Sequence, residues 1–95
     1  MSITLHIELR EWYDCGDGWQ TTHQTRKFDT EVEVRQYVLG KSSEYLTEGL
    51  DVQLETERGE FEDAYGEVRN LQVYTLEVLG GGYDRCPSYY MYHKI

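Results

Sequence analysis

The sequence predicts an α+β fold: a mostly antiparallel sheet of four to six strands with one helix packed across it. Three observations lead there. Residues 3–10 alternate apolar and polar without a break. Only the stretch from about 31 to 48 combines helical spacing with a capping signal. The second half of the chain then returns to a period of two.

Ile3, Leu5, Ile7 and Leu9 fall on one face of the first strand, and Thr4, His6, Glu8 and Arg10 on the other; Trp12 and Tyr13 extend it. Asp14-Cys15-Gly16-Asp17-Gly18 supplies turn residues, with two glycines available for positive φ. Trp19 to Phe28 is Thr-rich and polar between aromatic ends, which fits the more exposed strand of a hairpin. With a five-residue loop, residues whose numbers sum to 32 face each other, so His6 is expected opposite Arg26 and His23 opposite Leu9.

The helix follows. Thr30 with Glu33 fits a capping box, and Asp29 and Glu31 suit the positive end of the helix dipole. Val34, Tyr37, Val38 and Tyr45 form the apolar stripe. Gly40 interrupts it, which leaves two alternatives: one helix over about 31–48, or a short helix ending at Gly40 and a further turn over 43–48. A mid-helix glycine costs only about 1 kcal/mol and does not decide between them. Gly49 is a suitable stop.

Leu50, Val52 and Leu54 alternate with Asp51, Gln53 and Glu55, a third strand. Glu57-Arg58-Gly59-Glu60 reads as a turn, and 61–68 as an irregular charged stretch, strand or loop. Leu71 to Leu79 is apolar on both faces and belongs in a central, well-covered strand. Gly80-Gly81-Gly82 breaks it. Ser88 to Ile95 is a Tyr-rich last strand, with the lone proline, Pro87, at its start, where a missing donor is tolerated. The order is β-β-α-β-(β)-β-β. Ninety-five residues fit a single domain, 1–95.

Composition excludes several classes. There are 18 Asp+Glu against 9 Lys+Arg, a net charge of −9. That opposes direct nucleic-acid binding, because phosphates demand Lys and Arg. No apolar run reaches the roughly 18–20 residues of a membrane span. Met1-Ser2-Ile3-Thr4 lacks the layout of a signal peptide, so a cytoplasmic location is expected. Two cysteines do not make a disulfide scaffold; Cys15 and Cys86 are expected as independent reduced thiols, with no CxxC for zinc.

The charge is unevenly placed. Residues 44–67 hold nine acids and one base, Arg58, while the rest of the chain is nearly balanced. Asp51, Glu55, Glu57, Glu60, Glu62, Asp63 and Glu67 are the candidate partner-binding residues, with Tyr65 as an aromatic anchor. Alternate residues of a strand stand about 6.7 Å apart on one face, so Asp51, Glu55 and Glu57 would form a row with Gln53 between them. Such a row resembles the charge spacing along a nucleic-acid backbone and would dock into a basic groove. The plainer reading is a solvated acidic face. Calcium would need six to eight convergent oxygens, and no recognised loop supplies them; Asp14 begins a superficially similar segment, but its twelfth position is Thr25 and not Glu.

Nine tyrosines are the second signal, with Tyr83, Tyr89, Tyr90 and Tyr92 near the C-terminus. Tyr89 and Tyr90 are neighbours and point to opposite faces of a strand. Tyrosine suits interfaces, and it is equally a good strand former. The three histidines are scattered, Gly80-Gly81-Gly82 leads into no helix, and no nucleophile elbow occurs, so no catalytic constellation, metal site or cofactor is expected.

In size, acidity and lack of a catalytic signature the chain resembles the small phage-encoded inhibitors of bacterial defence, anti-CRISPR proteins among them. The resemblance implies a non-enzymatic protein that blocks a basic, nucleic-acid-handling complex in a bacterial host cell, by nucleic-acid mimicry or otherwise, as a monomer or homodimer. The expected partner is a protein with a basic surface, and neither nucleic acid nor membrane. Three alternatives remain: an immunity protein or antitoxin capping a basic toxin, a small phage structural or assembly protein, and a small enzyme or ligand binder built across a dimer interface.

Overall fold

The structure, a computed structural model, describes residues 2–13, 18–62, 65–79 and 87–95. Its elements in chain order are β1 (Ile3–Tyr13), β2 (Gly18–Phe28), α1 (Glu31–Thr47), β3 (Asp51–Glu62), β4 (Val68–Leu79) and β5 (Ser88–Lys94). The strands form one open sheet in the order β2-β1-β5-β4-β3, and every neighbouring pair is antiparallel. This is the α+β fold that the periodicity predicts.

The sheet consists of two hairpins joined by the last strand. β1 pairs with β2 and β3 with β4, and β5 enters between β1 and β4 and bonds to both. α1 links β2 to β3, the two edge strands, so it must cross the full width of the sheet. Four inter-strand steps span about 19 Å, and a helix of this length reaches about 26 Å. The apolar stripe lands where that path requires: Val34 and Val38 are buried against Leu5, Ile7, Tyr74, Leu76, Tyr89 and Met91. Tyr37 packs on Phe28 at 5.5 Å between ring centroids, with the Arg26 guanidinium 4.7 Å from its ring. Near the other end of the helix, the Tyr45 and Tyr89 hydroxyls share a hydrogen bond of 2.7 Å.

One helix covers one face. Odd-numbered residues of β1, the even-numbered residues Val52 to Arg58 of β3 and Gln72 to Val78 of β4, and Tyr89, Met91 and His93 of β5 lie on the helix side; the alternating set forms the open face, toward which the far end of the β3–β4 hairpin brings Glu62. β4 is apolar on both sides, with Leu71 and Val73 buried on the open face and Tyr74, Leu76 and Val78 on the helix face. His93 is 1% exposed. Its Nδ1 lies 2.8 Å from the Lys94 carbonyl oxygen, and its Nε2 has no partner among the described residues.

Of the two alternatives for the helix, the single one over about 31–48 holds: it runs unbroken through Gly40, where nothing lies within 4 Å of an added Cβ, so the glycine is merely exposed. Three expectations change. Glu57-Arg58-Gly59-Glu60 is strand and not turn, because Asn70–Val73 runs alongside it and pairs Gly59 with Leu71 and Glu57 with Val73. The glycine with the left-handed backbone is Gly66, at φ +79, so the chain reverses between Glu62 and Val68. The first hairpin pairs residues whose numbers sum to 31, as in Tyr13 with Gly18, which sets His6 opposite Thr25 and His23 opposite Glu8. A one-residue slip moves every β2 side chain to the other face. The expectations for Cys15, Cys86 and Gly80-Gly81-Gly82 lie outside the described residues.

Thr30 caps the helix by accepting from the Glu33 N–H at 3.3 Å, and the Glu33 carboxylate accepts from the Asp29 N–H at 3.0 Å. Gly49 ends it at φ +85. The two glycines therefore have opposite roles. Gly40→Ala should raise stability by about 0.5–1 kcal/mol, and Gly49→Ala should lower it by about 1 kcal/mol. Urea unfolding of both variants checks this; equal signs would contradict the assigned helix span.

Candidate functional site

The open face can be read as transverse rows, because each strand is in register with the next. One row runs Glu55, Thr75, Tyr90, Glu8, His23 from β3 to β2; the next runs Glu57, Val73, Tyr92, His6, Thr25. Carboxylates thus occupy the β3 edge and recur as Glu8 on β1; tyrosines lie in the middle, histidines and threonines toward β1 and β2, and Arg10, Lys27 and Lys94 toward the ends of the face.

The acidic candidates divide. Asp51, Glu55 and Glu57 stand exposed on the open face of β3, as alternation requires, and Glu77 of β4 joins them opposite Gln53. Gln53 Nε2 donates to Glu55 Oε1 at 3.3 Å. Among the described residues, none forms an ion pair with Asp51, Glu55 or Glu57. Arg58, the single base in the stretch, is engaged on the helix face: its Nη2 lies 3.2 Å from Glu31 and its Nε donates to Gln72 Oε1 at 2.8 Å. Glu60 alternates to the helix side of the strand. Glu67, in the turn, pairs with Arg69. Asp63 lies outside the described residues. Glu62 and Tyr65, from the far end of the β3–β4 hairpin, line a cleft with His6, Glu8, Tyr90 and Tyr92. Tyr65 is 86% exposed there.

This cleft, of about 650 Å³, is what the sequence reading missed. The His6 ring stacks on Tyr92 at 4.8 Å and 11°. Tyr90 leans against Tyr92 at 5.8 Å and 53°. His23 Nε2 lies 3.4 Å from Glu8 Oε1. The only sequence signal for it was the hairpin register: a sum of 32 sends His23 to the helix face, and a sum of 31 brings it beside Glu8. Burial raises the Tyr90 phenol above its ordinary value, followed by the effect of Tyr92 and the charges of Glu57 and Glu8. The acidic edge therefore makes itself felt in the middle of the sheet. Tyr74 and Tyr89, on the helix face, are raised first by burial, Tyr89 further by its bond to Tyr45.

Among the described residues, no three His, Cys, Asp or Glu groups are placed to hold a metal ion, and no helix is long and apolar enough to cross a membrane. No family model, curated protein or solved structure matches the chain. A functional reading must therefore come from the chemistry of the face itself.

Raised phenol values have a defined sign in stability. The folded state holds these protons more tightly, so their contribution is complete below about pH 10 and is lost as pH rises above it. Stability should fall on that alkaline side, and less steeply in Tyr89→Phe. By NMR of ring-labelled tyrosine, Tyr90 should titrate late, and Glu57→Gln should move it down. An unmoved Tyr90 would show that the acidic row exerts no field there.

Proposed function

We propose that this chain is a non-enzymatic, stoichiometric binding protein that docks its open sheet face onto the basic surface of a nucleic-acid-handling protein, as an inhibitor of bacterial defence would. The observation that carries the reading is the row Asp51, Glu55 and Glu57 on an exposed edge strand, without cationic partners among the described residues and beside Tyr90 and Tyr92. Like charges gathered this way destabilise the fold through self-repulsion. They gain a use when a basic groove approaches, because they steer encounter and fix orientation. The tyrosines add large contact area with few torsions to freeze.

Aromatic side chains on an open sheet face also stack on single-stranded bases in several RNA-binding folds. Here the surrounding carboxylates would repel the phosphates, and that favours a protein partner over nucleic acid. The acidic edge then occupies the place on the partner where a nucleic-acid backbone would lie.

The test is a pull-down from bacterial lysate at low and high salt, with the native chain and the triple variant Asp51→Lys, Glu55→Lys, Glu57→Lys. The native chain should retain a basic nucleic-acid-handling protein at low salt and release it at high salt, since exposed charges are screened over about 10 Å at 0.1 M. The triple variant should stay folded and retain at least about tenfold less. Undiminished retention by the variant would reject the docking face.

A further inference from the structure

The cleft beside the acidic row has a more specific chemistry than the row itself. Its centre is the point where Tyr90 of β5 stands directly opposite Glu8 of β1, with Tyr92 opposite His6 in the adjoining row. Directly opposed residues of an antiparallel pair hold their Cβ atoms about 4.5–5.5 Å apart, so a ring face and a carboxylate flank the same small volume. The Tyr92–His6 stack and the tilted Tyr90–Tyr92 pair fix the rings against each other. His23 holds Glu8 from the β2 side. Two carboxylates, Glu8 and Glu62, line the cleft, and no Lys or Arg does among the described residues.

The tyrosine faces and the two carboxylates select for a cation. Ring faces carry the negative side of the aromatic quadrupole, and a carboxylate within reach adds a full charge. The choice between an ammonium and a guanidinium follows from shape. A guanidinium is planar, weakly hydrated, stacks on an aromatic face and offers two parallel N–H groups to one carboxylate. The opposed Tyr90 and Glu8 match both demands. The volume of about 650 Å³ exceeds what the head group alone needs and leaves room for the aliphatic stem behind it.

We propose that this cleft is a receptor for a single guanidinium head group, an arginine side chain of the basic partner, which lies on Tyr90 and is held by Glu8. The source of the arginine rests on the docking reading; the chemistry of the cleft does not. Glu62 and Tyr65 stand at its opposite wall, where they meet the stem.

The experiment is an NMR titration of the whole chain at about pH 8, where free imidazole is uncharged. The probes are N-acetyl-arginine amide, N-acetyl-lysine amide, the neutral planar analogue N-acetyl-citrulline amide, and tetramethylammonium. The arginine probe should give saturable shifts centred on Glu8, Tyr90 and Tyr92, bind at least about threefold tighter than the lysine probe, and leave the citrulline probe without detectable binding. Glu8→Gln should weaken it at least about fivefold while the rest of the spectrum is retained, and Tyr90→Leu about threefold. Equal binding of citrulline and arginine, or an unchanged affinity in Glu8→Gln, would overturn the proposal. Tightest binding by tetramethylammonium would assign the cleft to a free quaternary ammonium and overturn it as well. The triple variant on β3 should keep its arginine response within about twofold. A cleft that binds while the pull-down is insensitive to the β3 charges therefore rejects the docking face alone, and the converse rejects the receptor alone.

Discussion

The insertion of β5 between two hairpins is the interaction on which the rest of this structure depends. β1 with β2, and β3 with β4, are pairings between strands close in sequence. Only β5 bonds to both, and an isolated two-stranded hairpin is marginal at best in water. The same seven-residue strand supplies both faces of the molecule. Tyr89, Met91 and His93 face the helix and complete the core. Tyr90 and Tyr92 face the other way and bring Glu8 and His6 of the first hairpin into one surface with Glu55 and Glu57 of the second. Stability and the candidate site are therefore two readouts of a single pairing.

The helix imposes the second constraint. It connects the two edge strands, so it must cross the sheet, and it can cover only one side. Val34 and Val38 are its buried contacts, with Tyr37 and Tyr45 at the margins. The side without the helix, where Leu71 and Val73 are nonetheless buried, meets water with the rest of its residues. Asp51, Gln53, Glu55, Glu57 and Glu77 lie toward β3, tyrosines over β5, and Glu8, His6, His23 and threonines toward β1 and β2, with Arg10, Lys27 and Lys94 toward the ends of the face. A face that needed only hydration would not require its charge sorted by strand. This distribution is the feature on which the proposed docking to a basic surface rests, and the aromatic middle is the proposed place where one cation is read individually.

Much of the fold was legible because period two and period 3.6 are hard to confuse over long stretches. Ile3, Leu5, Ile7 and Leu9 declare a half-buried strand, Thr30 with Glu33 declares a helix start, and the two-sided apolar run from Leu71 declares a covered strand. What failed was the reading of Gly59 as the centre of a turn, whereas Gly49 does end the helix. Gly40 and Gly59 both interrupt their patterns, yet each sits at a position where the backbone stays regular. Among the described residues, Gly49 and Gly66 are the ones that take positive φ. The extension of β3 through Glu57 and Arg58 was hidden for another reason: these two charged residues lie on an edge strand, Glu57 in water and Arg58 bonded to Gln72 and Glu31, and so produce no apolar alternation. The site was less legible than the fold. The row Asp51, Glu55, Glu57 follows from alternation within one strand. The cleft depends on register between strands far apart in sequence, and an error of one residue in the first hairpin hides the approach of His23 to Glu8.

The central claim is that the open face, and not the general acidity of the chain, is the docking surface. Titration of the isotope-labelled chain with an oligo-arginine peptide, followed by backbone amide shifts, tests it most directly. The account predicts changes confined to the band from Asp51–Glu57 across Thr75, Tyr90 and Tyr92 to Glu8, abolished at about 0.5 M salt. Changes centred on the helix carboxylates Glu31, Glu33, Glu44 and Glu48, or spread evenly over both faces, would contradict it.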